Sequence, residues 1–190
     1  MVPNVSAGQL LVSAPDLTDP NFERTVVLLL DHDGSGSLGV VVNRPTELAV
    51  ADVLAPWSGY SSAPDVVFSG GPVGVDGALA LAAFDSVPAA LGARPRGWRP
   101  VIGGIGLIDL DSDPESLRED LRALRIFAGY SGWGAGQLDS ELSQGAWVIA
   151  ESMPGDAFSL RPERLWGDVL RRQPGDVRLL ATCPADVSLN

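Results

Sequence analysis

Between residues 129 and 142 the chain reads Gly-Tyr-Ser-Gly-Trp-Gly-Ala-Gly-Gln-Leu-Asp-Ser-Glu-Leu, and two kinds of chemistry can be written on that stretch. The first is nucleophilic. Ser131, flanked by Gly129 and Gly132 and set between an apolar run and a helical pattern, has the outline of a hydrolase nucleophile elbow. The Gly-x-Ser-x-Gly pattern fails at its last position, which is Trp133, and a Ser-His-Asp site would have to use His32, the only histidine. That residue sits in a hairpin turn between Asp31 and Asp33, so the incomplete motif is read as structural. The second is anion binding. Backbone amides of Gly134, Ala135 and Gly136 at a helix start could hold a phosphate or a carboxylate. The competing reading, which is preferred, is that these glycines let the helix pack tightly on a sheet while Trp133 anchors it.

Other polar residues lie near turns. Arg24, Asn43 and Arg44 fall at strand edges, where they can hydrogen-bond loop carbonyls or pair with Asp16 or Asp19. If they converge with Gly71 and Gln137, they make a polar pocket. The candidate binding residues are therefore Asn43, Arg44, Gly71, Tyr130, Trp133, Gly134, Gly136 and Gln137, with no catalytic residue and no metal ligand assigned. The run Asp109-Leu110-Asp111-Ser112-Asp113 resembles the start of a calcium loop, but Pro114 stands where the sharp-turn glycine is required, which makes Asp113 a helix cap. Gly103-Gly104-x-Gly106 has Asp109 in place of the third glycine of a dinucleotide fingerprint. Gly70-Gly71-Pro72-Val73 lacks the lysine of a phosphate-binding loop and reads as a backbone turn.

These residues need a scaffold, and the composition bounds it. At 190 residues, 45% apolar and 19% charged, the chain has the makeup of one soluble globular domain spanning 1–190. Its 24 acidic residues face 13 arginines and no lysine, a net charge of −11, which disfavours non-specific nucleic-acid binding. The single cysteine, Cys183, has no internal disulfide partner. The N-terminus is neither basic nor long and apolar, and the longest apolar run, residues 26–30, is too short to span a bilayer. A cytoplasmic protein with no membrane segment is expected.

Residues 8–14 read as a first strand closed by Pro15. Residues 25–30 and 40–42 form a hairpin around a turn at 31–37, its strands covered on both faces because they are continuously apolar. Leu48, Val50, Val53 and Leu54 fit a short helix broken at Pro56, and 57–64 read as loop. Residues 66–68, 78–83, 101–102 and 105–110 read as extended, with a long loop at 85–100. Asp113-Pro114-Glu115 signals a helix start, and Leu117, Leu121 and Leu124 give that helix one apolar stripe. A central strand at 125–128 then leads into the glycine-rich turn, a helix over 135–144, a strand over 147–150 and a helix over 162–172. Strands and helices without regular alternation point to an α+β fold with a mixed or antiparallel sheet.

Three blocks, taken together, carry a resemblance. The first is Gly8-x-Leu10-Leu11-Val12-x-x-Pro15 with Asp19-Pro20-x-Phe22-x-Arg24-x-Val26, closing at Gly39-Val40-Val41-Val42-Asn43-Arg44-Pro45. The second is Gly70-Gly71-Pro72-Val73. The third is Gly129-Tyr130-x-Gly132-Trp133-x-x-Gly136-Gln137-Leu138-x-x-Glu141, followed by Trp147 and by Leu165-Trp166-x-x-x-Leu170. In that order and spacing the chain closely resembles the bacterial YqgE/AlgH family. The resemblance implies a bifurcated sheet, part of it curled like a small barrel, with helices packed around it. It implies no established catalytic residues and no cofactor. The AlgH branch is named for a role in regulating alginate synthesis, the origin of a transcription-regulator label, yet no helix-turn-helix with a basic recognition helix is evident here. The expectation is a non-enzymatic binding or regulatory protein acting through an unknown protein partner or a small anion. The alternative is a metal-free enzyme or anion-binding protein that uses the 132–137 turn and nearby polar residues.

Overall fold

Strand β9 (Leu121–Gly134) is 14 residues long and ties the sheet together. The computed structural model describes residues 5–85, 97–117 and 120–184, and β9 meets three other strands within them. Along one edge lies β6 (Val73–Phe84), antiparallel, from Phe84↔Leu121 to Val73↔Tyr130. The other edge is divided. β5 (Val66–Ser69) runs parallel to it at Phe127 and Ala128, and β3 (Gly36–Val41) takes over, antiparallel, from Ser131 to Gly134. The sheet branches at this point. On the β3 side follow β2 (Val26–Asp33), β1 (Leu10–Ser13) and β10 (Trp147–Ala150). On the β6 side follow β8 (Ile105–Ile108) and β7 (Arg99–Ile102), while β4 (Pro45–Ala49) pairs with β5. The path is open, and it bends so that its far parts approach: Arg99 reaches Asp31 at 3.7 Å, and a Cβ placed on Gly8 would meet the Ile102 side chain at 2.7 Å. The fold is α+β with a mixed sheet.

The period-2 geometry of the strands sorts their side chains into separate cores. Leu10, Val12, Val26, Leu28 and Leu30 face α3 (Pro162–Arg171), which buries Leu165, Trp166, Val169 and Leu170 against them. Those four positions lie on one face of a helix whose first residue is proline, and each stabilises the contact by roughly 1.5–3 kcal/mol. Leu11, Val27, Leu29 and Val41 face the other way, onto Trp133, Trp147 and Leu138 of α2 (Gln137–Ser143). This is why the first strands read as unbroken apolar runs. A further core forms where Ala80, Ala82, Leu124 and Ile126 meet Trp57, Trp98 and Val50 of the short helix α1 (Val50–Val53). No helix among the described residues is long and apolar enough to cross a membrane.

Four local expectations are corrected. The turn expected at 31–37 is only two residues long: β2 and β3 stay paired to Asp33↔Gly36, because the Asp33 carboxylate accepts from both the amide and the hydroxyl of Ser35 and fixes the tip. The helix expected from Pro114 through Leu124 is a single 3-10 turn, Pro114–Leu117, after which Leu121 already pairs with Phe84; partnership with β6 overrides the helical spacing of the leucines. Asp113 does cap that turn, accepting the Glu115 amide at 3.0 Å. The chain does not turn away at Gly129 but stays in β9 through Gly134; Gly129, at φ 70°, admits the Gly71 and Val73 carbonyls, which a Cβ there would meet at 2.6 and 2.9 Å. Finally, Arg99 and Pro100 belong to β7 rather than to a loop, whereas 86–96 of the expected loop lie outside the described residues.

Candidate functional site

The glycine-rich motif closes on a single carboxylate. Helix α2 places Gln137 and Glu141 one turn apart on the same face. Gln137 accepts the Gly134 amide through Oε1 at 3.0 Å and donates from Nε2 to Glu141 Oε1 at 3.0 Å. The other oxygen of Glu141 accepts two indole N–H groups, from Trp133 at 2.9 Å and from Trp147 at 2.8 Å. Both rings are 5% exposed, so these are charge-assisted bonds in a largely dry setting. Phe22 closes the cluster, stacked on Trp133 at 6.0 Å between centroids and edge-on to Trp147 at 5.4 Å.

Phe22 belongs to the loop between β1 and β2, and the polar candidates from the first block hold that same loop. Asn43 accepts the Val26 amide at 2.8 Å and donates to the Arg24 carbonyl at 2.9 Å. Arg44 donates to the carbonyls of Pro20 and Glu23 at 2.8 and 2.9 Å. Arg24 has φ 51, the one positive-φ residue other than glycine among those described. Its guanidinium lies 4.4 Å over the Trp166 ring and donates to the Cys183 carbonyl at 2.6 Å and to that of Pro184.

The expected residues therefore fall into separate groups. Trp133, Gly134 and Gln137 share the Glu141 network, whereas Asn43 and Arg44 serve the β1–β2 loop. Gly71 lies against Tyr130, where its φ of 149° and a Cβ position 2.3 Å from the Tyr130 carbonyl leave no room for a side chain. Gly136, at φ 71°, caps α2 and has open space beside it. Ser131 is buried and donates to the Gly70 carbonyl at 3.1 Å, while His32 Nδ1 faces Ser37 Oγ at 2.8 Å; serine and histidine serve different bonds. Phe22, Glu141 and Trp147 complete the cluster without having been singled out as site residues. The i, i+4 spacing of Gln137 and Glu141 was the available signal.

Beside Gly134 and Gly136 the hairpin tip and the start of α2 enclose a groove of about 350 Å³, with Val5 and Leu138 as apolar lining and His32, Asp33, Ser37 and Asp139 as polar lining. Among the described residues no arginine lines it. The Asp33 carboxyl is held below the ordinary aspartate value, first by the Ser35 hydroxyl and then by the Ser35 amide. The groove thus presents fixed negative charge between glycine edges that let another chain come close.

A protein-family model described as AlgH-like (DUF179) matches residues 10–178. A UPF0301 protein of Streptomyces coelicolor is 59% identical over 184 residues, covering 96% of this chain and 94% of its own. One from Thermobifida fusca is 46% identical over 192 residues, with 96% and 94% covered. Among solved structures, the crystal structure of a Corynebacterium diphtheriae protein matches with a TM-score of 0.88 at 27% identity, covering 96% of this chain and 95% of that one. The solution structure of the AlgH protein from Pseudomonas aeruginosa matches with a TM-score of 0.67 at 28% identity, with 97% of each chain covered. None of these names states a reaction or a ligand.

Proposed function

The chain belongs to the AlgH-like family, and from that premise we propose that it is a cytoplasmic binding or regulatory protein that holds a basic segment of a partner protein rather than transforming a substrate. The observation that carries this reading is the groove lined by Asp33 and Asp139 and, among the described residues, by no arginine. The motif residues around it are committed to internal bonds: Gln137 takes the Gly134 amide, and Glu141 takes Gln137 and two indoles. What they supply is rigidity beneath a surface. That surface suits a cationic head, because Asp33 and Asp139 line it while Val5 and Leu138 lie buried beneath. An anion at the glycine turn would compete with Gln137 for the Gly134 amide and would meet Asp33 and Asp139. A nucleic acid would meet the same carboxylates on a chain of net charge −11. Regulation, in this reading, is exerted by occupying the partner.

The test is a titration of the isotope-labelled protein with a short capped peptide containing arginine and leucine, followed by amide shifts. Saturable shifts are expected at Gly34, Ser35, Gly36, Gly134 and Gly136, and they should vanish in an Asp33→Asn, Asp139→Asn variant. Shifts confined to another face, or the same shifts produced by phosphate instead of peptide, would overturn the reading.

A further inference from the structure

Along residues 161–178 the charge reverses, with five arginines against Glu163, Asp168 and Asp176. Arg161, Arg164, Arg171, Arg172 and Arg178 are five of the 13 arginines and fall within 18 residues of a strongly acidic chain. Arg24 crosses from the β1–β2 loop to join them. With Arg164, Asp168 and Arg171 it lines a pocket of about 450 Å³ over Trp166, with Glu163 also in its lining. We propose that this pocket binds a phosphoryl group carried on a small organic molecule.

Three observations carry the proposal. Arg24 is held in place before any ligand arrives, its ring-facing side stacked on Trp166 at 4.4 Å and its Nη2 fixed by the Cys183 and Pro184 carbonyls. Its Nη1 and Nε donate to no described protein group, so the guanidinium is oriented yet has donors to spare. Arg164 has no side-chain hydrogen bond or ion pair to a described residue, which leaves a second cation free at the same pocket. Arg171 is paired with Asp168 one turn back at 2.7 Å, but both side chains are half exposed or more, and such a pair is readily exchanged for a stronger partner. Its guanidinium lies close over Gly167, where a Cβ would sit 3.2 Å from Nη2; the missing side chain gives it space.

Three separate guanidiniums around one pocket match a tetrahedral oxyanion better than a planar carboxylate, because several oxygens point in different directions. Glu163 and Asp168 offset two of the three guanidiniums, so the lining keeps a net charge of +1 (three arginines less two carboxylates). The volume exceeds what a bare phosphate ion fills, which is why an organic phosphate is named. This site is separate from the acidic groove and stands or falls without it.

The experiment titrates the full-length, isotope-labelled protein at low ionic strength with inorganic phosphate in one arm and phenyl phosphate in the other, using chloride as the control. Saturable shifts are expected at the α3 amides 163–168 and at the Arg24 side chain, with phenyl phosphate binding more tightly than inorganic phosphate. An Arg164→Gln, Arg171→Gln variant, both changes being on the surface, should weaken phenyl phosphate roughly tenfold or more while leaving the unfolding midpoint unchanged. Equal affinity for the two phosphates would assign the site to free phosphate and overturn the organic-phosphate claim. Shifts that chloride reproduces, no saturation at millimolar concentration, or undiminished binding by the double variant would overturn the site altogether.

Discussion

Replacing Glu141 tests whether the family motif is a structural knot. In Glu141→Ala both indole N–H groups of Trp133 and Trp147 lose their acceptor while their rings remain buried at 5% exposure. A buried donor left without a partner costs about 1–3 kcal/mol, so the variant should lose about 2–5 kcal/mol. Glu141→Gln discriminates geometry from charge. Its amide oxygen can take the place of the oxygen that serves both indoles, which sets its NH₂ against the Gln137 donor; Gln137 is exposed and can turn to water, so this variant should lose only about 1 kcal/mol. Urea unfolding, followed by tryptophan fluorescence and by circular dichroism, measures both, and equal slopes would show that the change lies in the folded state. The alanine variant should melt about 5–15 °C lower. A loss below about 0.5 kcal/mol for Glu141→Ala, or equal losses for the two variants, would refute the reasoning.

Two further outcomes follow from buried or bonded charge. Arg125 is 1% exposed, donates to the carbonyls of Ala63, Ala157 and Ser159 and lies 4.1 Å over the Phe68 ring, and burial pushes its pKa down to about 10. Arg125→Met keeps the volume but orphans those carbonyls, and calorimetry should register a loss of about 2–4 kcal/mol; a neutral result would show that the loops 63 and 157–159 satisfy themselves. Asp33 titrates below the ordinary value of 3.8 because Ser35 bonds its ionised form. A depressed folded pKa means that the stabilisation is complete above the ordinary value and is lost as pH falls through the folded one. Ser35→Ala should raise the Asp33 midpoint in a carboxyl-carbon NMR titration, and an unchanged midpoint would remove the hydroxyl as its cause.

The parts of the fold that were legible in the sequence are those whose two faces are both buried. Residues 25–30 and 40–42 read as strands because Val26, Leu28 and Val40 serve one core and Val27, Leu29 and Val41 another, leaving no polar interruption. Helix α3 read correctly because Pro162 opens it and its apolar residues share one stripe. Leu117, Leu121 and Leu124 misled for the opposite reason: their spacing fits a helix, and only the distant β6 makes residues from Leu121 onward a strand. Glycines 129, 132 and 134 have the composition of a turn, yet they lie within β9. β4 went unread, since Pro45 opens it and its residues are mostly exposed. At the site, the use of Asn43 and Arg44 on loop carbonyls was legible, whereas the tight packing expected of glycines 132, 134 and 136 is not found, since a Cβ on any of them would meet nothing closer than 3.5 Å. The shared carboxylate was not legible, because an exposed-looking Glu four residues after Gln137 reads as a solvated helix face, and nothing local brings Phe22 to Trp133 and Trp147.

The most direct measurement of the partner-binding claim places a photo-crosslinking amino acid at Ser35, on the hairpin tip beside the groove, and another at Asp111, on a separate exposed turn. Both are activated in living cells. A discrete crosslinked protein from position 35 and none from 111, attached through a lysine- or arginine-rich segment and lost when Asp33 and Asp139 are changed to lysine, is the predicted result. Equal crosslinking from both positions, or a product that survives the charge reversal, would contradict the account.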